Sequence, residues 1–180
     1  MADVKKLEKI TKTCMSDSDI KLYFPNAKII SYNELQKYDN IYELLPRPGS
    51  YAFILYQQSE NCGHWVLLYM AKKYIEYFDS YGKKIDEPLN WLSKRENADL
   101  DIRMPYLSKL LLSSGKDIIY NAYCFQGKSK GISTCGRHCV LRLKMALDGV
   151  HLKDYIKLLE KTQKKTGRDY DEIVSALVKA

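Results

Sequence analysis

Between residues 51 and 79 the chain alternates short apolar runs with polar breaks, at a spacing suited to strands. Tyr51 to Gln57 (YAFILYQ) is apolar and aromatic, and the turn-forming stretch Ser59 to Gly63 interrupts it. His64 to Met70 (HWVLLYM) is almost continuously apolar, which predicts a central strand covered on both faces. Lys72-Lys73 is a tight polar connection. Tyr74 to Phe78 (YIEYF) then runs into a turn at Asp79-Ser80-Tyr81-Gly82. Together the three runs predict an antiparallel meander.

Around this meander the period changes to that of helices. Residues 1–48 read as helical and then irregular. Ser16-Asp17-Ser18-Asp19 has the form of a capping box before Ile20 to Phe24, and Pro25 ends the run. Asn33 to Tyr38 predicts another short helix, and Pro46-Arg47-Pro48-Gly49 a turn. Residues 83–105 are polar and loop-like, with Trp91 as their anchor. Tyr106 to Leu112 predicts a helix, Ile118 to Phe125 a strand, and Gln126 to Thr134 a Gly/Ser/Lys loop. Cys135 to Leu147 predicts a buried helix. Two amphipathic helices follow in 151–180, with stripes at Leu152, Tyr155, Ile156, Leu159 and at Tyr170, Ile173, Val174, Leu177. Asp169 and Glu172 have capping-box spacing. The fold class is α+β: a mostly antiparallel sheet flanked by helices, in one domain over 1–180. Residues 51–147 hold the sheet and the candidate chemistry.

Composition narrows the setting. A chain of 180 residues, 46% apolar and 28% charged, suffices for one core without staples. No stretch approaches the length of a membrane span, and Met1 to Cys14 lacks the apolar region of a signal peptide. The expectation is an intracellular or virion-packaged protein without membrane association. Five cysteines, an odd number, argue against a disulfide framework and toward nucleophilic or metal-binding roles. Of the net charge of +7, nearly all lies in residues 121–180, which carry 12 Lys/Arg against 6 Asp/Glu. That basic third suits either a solvated set of helix faces or contact with nucleic acid or an acidic partner.

Four local features carry chemistry: Gly63-His64-Trp65, Asp79-Ser80-Tyr81-Gly82, Phe125-Gln126-Gly127 and Thr134-Cys135-Gly136. With Lys72 and Lys73 in the turn, Asp79 lies opposite Val66, and a slip of two residues places it opposite His64. In either register the two side chains share a face and are direct or diagonal neighbours. An imidazole beside a carboxylate is how a general base is oriented. Cys135 opens an apolar helix, where the exposed N–H groups and helix dipole favour a thiolate. Gly136 would let a substrate backbone approach. The amide of Gln126, or alternatively Asn121, could donate to a developing oxyanion.

The order His-Trp, Phe-Asp-Ser-Tyr-Gly, Gln-Gly, Cys-Gly resembles that of the adenovirus-type and SUMO-protease-type cysteine peptidases, over about Tyr51 to Met145. The resemblance implies His64 as base, Asp79 as its acidic partner, Gln126 in the oxyanion hole and Cys135 as nucleophile. Trp65 flanks the site and Gly136 follows the nucleophile. Thr134 stands where many SUMO-type members have Asp, and with the small size this favours the viral branch. Members of that branch cleave structural precursors during virion maturation. Some are activated by DNA or a peptide, and the chemistry itself needs no metal or cofactor. The partners implied are a viral structural precursor as substrate and nucleic acid at the basic third, in the virion and the infected cell. The competing enzyme reading is removal of ubiquitin-like modifiers. The non-enzyme readings are a zinc site built from Cys135, His138, Cys139, Cys124 and Cys62, and a basic nucleic-acid-binding module. Taken singly, His138 reads as a polar helix residue and His151 as a surface residue.

Overall fold

The computed structural model describes residues 2–59, 62–91, 105–127, 129 and 131–179, without the side chains of 2–6, 58, 59, 62, 90 and 91. The anchoring role expected of Trp91 and the loop expected over 92–104 therefore lie outside the described residues.

A five-stranded sheet in the order β1-β2-β3-β4-β5 carries helices on both faces, so the class is α+β. The expected meander forms its middle: β2 (Tyr51–Ser59), β3 (Cys62–Met70) and β4 (Tyr74–Asp79) are antiparallel neighbours. The edges are parallel additions from remote segments, β1 (Lys28–Ser31) on β2 and β5 (Asp117–Tyr120) on β4. β1 is only four residues long and shows no alternation, which hides it in the sequence. β5 stops at Tyr120 rather than running to Phe125, because Asn121 turns the chain aside. Its Nδ2 donates to the carbonyls of Asp79 at 2.7 Å and Tyr123 at 2.8 Å, and its Oδ1 accepts from the Tyr123 N–H at 2.9 Å.

The helices are α1 (Ala2–Thr11), α2 (Asp17–Tyr23), α3 (Ile41–Leu44), α4 (Tyr106–Leu112), α5 (Cys135–Leu147), α6 (Leu152–Thr166) and α7 (Tyr170–Leu177). The capping boxes at Ser16 and Asp169 both form. Asn33 to Tyr38 becomes a 3-10 helix over Tyr32–Lys37. Strand alternation divides the apolar residues between two cores. Trp65, Leu67 and Phe78 pack with Val140 and Leu143 of α5, Tyr155 of α6 and Ile173 of α7. Val66, Leu68 and Tyr77 pack on the other face with Tyr32, Leu35 and α4.

One buried ion pair ties α5 to the sheet. Glu76 of β4 faces α5, and its carboxylate takes two bonds from Arg142, Nε to Oε1 at 2.6 Å and Nη2 to Oε2 at 2.8 Å. Both side chains are buried, and Nη1 also donates to the Val150 carbonyl at 2.9 Å. Removing one partner strands the other charge in the interior. Glu76→Ala should therefore cost about 3–5 kcal/mol of stability. Urea unfolding measures this, and a double Glu76→Leu/Arg142→Met variant should recover most of the loss.

Candidate active site

The register observed is the one with Asp79 opposite Val66, so His64 and Asp79 are diagonal neighbours on one face. β4 ends there, so no residue of β4 pairs directly opposite His64, whose ring reaches round the sheet's end to where α5 begins. His64 Nε2 lies 3.1 Å from Asp79 Oδ1, with both side chains buried.

Asp79 is held from several directions. Oδ1 also accepts the backbone N–H of Tyr81 at 2.7 Å, the local turn that a D-S-Y-G sequence favours. The Tyr77 hydroxyl lies 3.5 Å from Oδ2, and the Asp79 carbonyl accepts from Asn121 and from the Gly82 N–H. Asn121, the alternative oxyanion donor, is thus committed to the turn behind Asp79. The same residue that shapes the turn orients the imidazole.

Cys135 sits at the first position of α5 and is 8% exposed. The His64 side chain and the backbone amides of Trp65 and Gly136 lie against its sulfur. Burial alone would raise the thiol's pKa; the bonds from His64, the imidazole's charge and the two amides outweigh it and hold the thiol below its ordinary 9.0. Burial alone would likewise lower His64. The charge and hydrogen bond of Asp79, with those of Cys135, instead push it up to about 10. Both shifts favour a thiolate–imidazolium pair, with the Asp79 carboxylate behind the imidazole. Tyr81 covers it, its ring 5.0 Å from that of His64 and tilted by 33°.

Gln126 is buried, and Ser80 fixes its orientation. The Ser80 hydroxyl donates to Gln126 Oε1 at 2.7 Å, and the Ser80 carbonyl accepts the N–H groups of Phe125 and Gln126. Nε2 therefore faces the other way, toward the Ile132 carbonyl at 3.5 Å, three residues before Cys135. Sequence reasoning missed Ser80 as an orienting group, although it lies inside the quoted D-S-Y-G motif.

Gly136 has a different use from the one expected. A Cβ there would meet Met15 Cβ at 2.9 Å and Trp65 Cδ1 at 3.2 Å, so the missing side chain admits protein rather than substrate. Residues 11–15 form a strap across this end of α5. The carbonyls of Thr11, Thr13 and Met15 accept from Ser133 N–H, the Arg137 guanidinium and the Trp65 indole. Trp65 is thereby fixed beside Cys135.

The candidate zinc set does not converge. His138 is turned to Asp171 at 3.2 Å, Cys135 to His64, and the buried Cys139 thiol to the Trp65 carbonyl at 3.5 Å. Among the described residues no three His, Cys, Asp or Glu side chains form a metal cluster, and the side chain of Cys62 lies outside them. His138, on a helix as expected, is wholly buried; His151 is exposed, as expected of a surface residue, and lies against Tyr74.

Two outcomes follow. His64 is raised to about 10 and Cys135 is held below its ordinary 9.0, and both shifts widen the pH range of a thiolate–imidazolium ion pair. It is lost upward as His64 deprotonates near 10, and downward as the thiolate protonates. At mildly acidic pH iodoacetamide should label Cys135 at least about tenfold faster than the exposed Cys14 and Cys124, and His64→Ala should abolish the difference. Mass spectrometry of the alkylated peptides reads this directly. Gly136→Ala should overpack the Met15–Trp65 contact and cost about 1–3 kcal/mol in urea unfolding.

No known family profile matches the chain. Among solved structures, the ASFV pS273R protease is similar over 94% of this chain and 69% of its own, at 12% identity and a TM-score of 0.45. The C-terminal Ulp1 protease domain, solved with SMT3, the yeast ortholog of SUMO, is similar over 97% and 81%, at 15% identity and a TM-score of 0.43. No described helix is long and apolar enough to cross a membrane. In sequence, the uncharacterized protein V9 of Sputnik virophage is 35% identical over 156 residues, covering 85% of this chain and 89% of the relative. At that identity and coverage, the chain belongs to the family of Sputnik virophage V9.

Proposed function

We propose that the protein is a cysteine endopeptidase with Cys135 as nucleophile, His64 as base and Asp79 as the group that orients the base. The observation that carries this reading is the buried chain of contacts from Cys135 to His64 to Asp79 at one end of the sheet. A structural cysteine has no need of an imidazole whose far nitrogen is held by a carboxylate. With Nε2 engaged by Asp79, Nδ1 is the nitrogen that exchanges a proton with the sulfur.

The thiolate attacks the scissile carbonyl carbon, a C–S bond forms, and the carbonyl oxygen takes the negative charge. Gln126 Nε2 and the backbone N–H of Cys135 receive that oxyanion. As the C–N bond breaks, the His64 imidazolium gives its proton to the leaving amine. Water then attacks the thioester, with His64 taking its proton, and the carboxylic acid product leaves Cys135 free. The substrate is a protein, and the viral source of the V9 relative favours a structural precursor processed during virion assembly. The setting proposed is accordingly the virion and the infected cell.

The test is turnover of a panel holding candidate virion-precursor peptides and ubiquitin-like modifier conjugates, with and without duplex DNA. DNA is included because residues 121–180 carry the excess positive charge. Cleavage of precursor peptides supports the reading, and exclusive cleavage of modifier conjugates moves the substrate class to modifier removal. Cys135→Ala should abolish turnover, and wild-type rates in that variant would sink the assignment. His64→Ala should lower kcat by about 10²–10⁴, the usual contribution of a general base. Asp79→Asn should cost less than His64→Ala.

A further inference from the structure

The segment between Gln126 and Cys135 should be the weakest part of this site. It is a polar loop with glycines at 127 and 131, and it separates the proposed oxyanion donor from the nucleophile. Catalysis tolerates little slack between two such groups, since a misplacement near 1 Å can cost about a hundredfold in rate. Something other than the loop's own sequence has to fix its ends.

One carboxylate meets both of them. Asp171 is buried in the first turn of α7, and its Oδ2 accepts the Gly127 N–H at 2.8 Å. Its Oδ1 accepts a short hydrogen bond from the Thr134 hydroxyl and faces His138 Nε2 at 3.2 Å. Gly127 follows Gln126, and Thr134 precedes Cys135. Thr134 occupies the N-cap of α5, yet its side chain does not cap that helix and turns to Asp171 instead. The approach at Gly127 is close: a Cβ there would lie 3.0 Å from both Asp171 Oδ2 and Ile132 Cδ1. His138 secures the carboxylate from α5, and its ring lies along Phe125, 6.0 Å away and tilted by 25°.

We infer that Asp171 is a positioning residue of the proposed peptidase, a staple that closes the loop 127–134 and sets the distance between Gln126 and Cys135. This rests on the protease reading above and adds α7 to the catalytic unit. The carboxylate is well suited to the task. Burial alone would push Asp171 up, but the bonds from His138, Thr134 and Gly127 hold it below the ordinary carboxylate value. It is therefore charged at neutral pH and makes stronger bonds than a neutral acceptor would.

The test is Asp171→Asn in the full chain, with Thr134→Val as the second variant should the first fail to fold. Three readouts separate positioning from general stability. kcat should fall by about tenfold or more, short of the roughly 10²–10³ of deleting an oxyanion donor outright, with KM little changed. Iodoacetamide labelling of Cys135 should stay within about twofold of wild type, because alkylation uses the His64 pair and not the oxyanion hole. Hydrogen exchange at the Gly127 amide should quicken at least about tenfold on losing its charged acceptor. In Gln126→Ala the Asp171→Asn change should then cost almost nothing more, as expected of groups acting through one another. Unchanged kcat, an effect multiplying that of Gln126→Ala, or parallel loss of labelling and turnover overturns the inference. If the wild-type chain cleaves nothing, the protease reading fails. Gly127 exchange then decides the staple alone, a faster rate supporting it and an unchanged rate overturning it.

Discussion

A thiol and an imidazole in contact, both almost entirely removed from water and each shifted toward its charged form, set the constraint that the rest of this structure answers. Either charge alone would be costly at that depth. Together they are tolerable only if the geometry is tight and the remaining donors and acceptors are met. The sulfur has the amides of Trp65 and Gly136, and the far nitrogen of His64 has Asp79. Asp79 in turn has the Tyr81 amide, and its carbonyl is held by Asn121. Low polarity at the end of the sheet strengthens each of these contacts and also raises the penalty for losing one. Features that look incidental, such as β4 ending opposite Val66, follow from the need to leave room for this group.

The local half of that arrangement was legible in the sequence. With Lys72-Lys73 in the turn, the register expected from the sequence is the one observed, Asp79 opposite Val66, and it keeps His64 and Asp79 on one face. The start of α5 at Cys135 was equally readable, from a Gly-rich loop followed by an apolar run. Contacts made across long stretches of chain were not readable. β1 pairs in parallel with β2 from more than twenty residues away and carries no periodic signal of its own. Asn121 read as part of a strand because its turn depends on a carbonyl some forty residues earlier. Asp171 read as one more acid in a capped helix, and His138 as one more polar residue on another; only the meeting of α5 and α7 gives them a role. Gly136 was legible as a close approach, but its occupant was misjudged, since Met15 comes from the far end of the chain.

The two buried carboxylates on either side of α5 have a common logic. Apolar contacts such as those of Val140 and Leu143 hold the helix at a depth from the sheet, but burial is non-directional and resists sliding weakly. Glu76, bonded twice to Arg142 two turns into the helix, fixes its position along its axis. Asp171 grips the first turn through His138 and, through Thr134, the residue before it. Between these points Cys135 has little freedom to slide or rotate, while the strap at Met15 closes the remaining side. On the peptidase reading, a nucleophile that must meet a carbonyl carbon needs this directional restraint. It explains why a helix that could have been wholly apolar buries two arginines and a histidine instead.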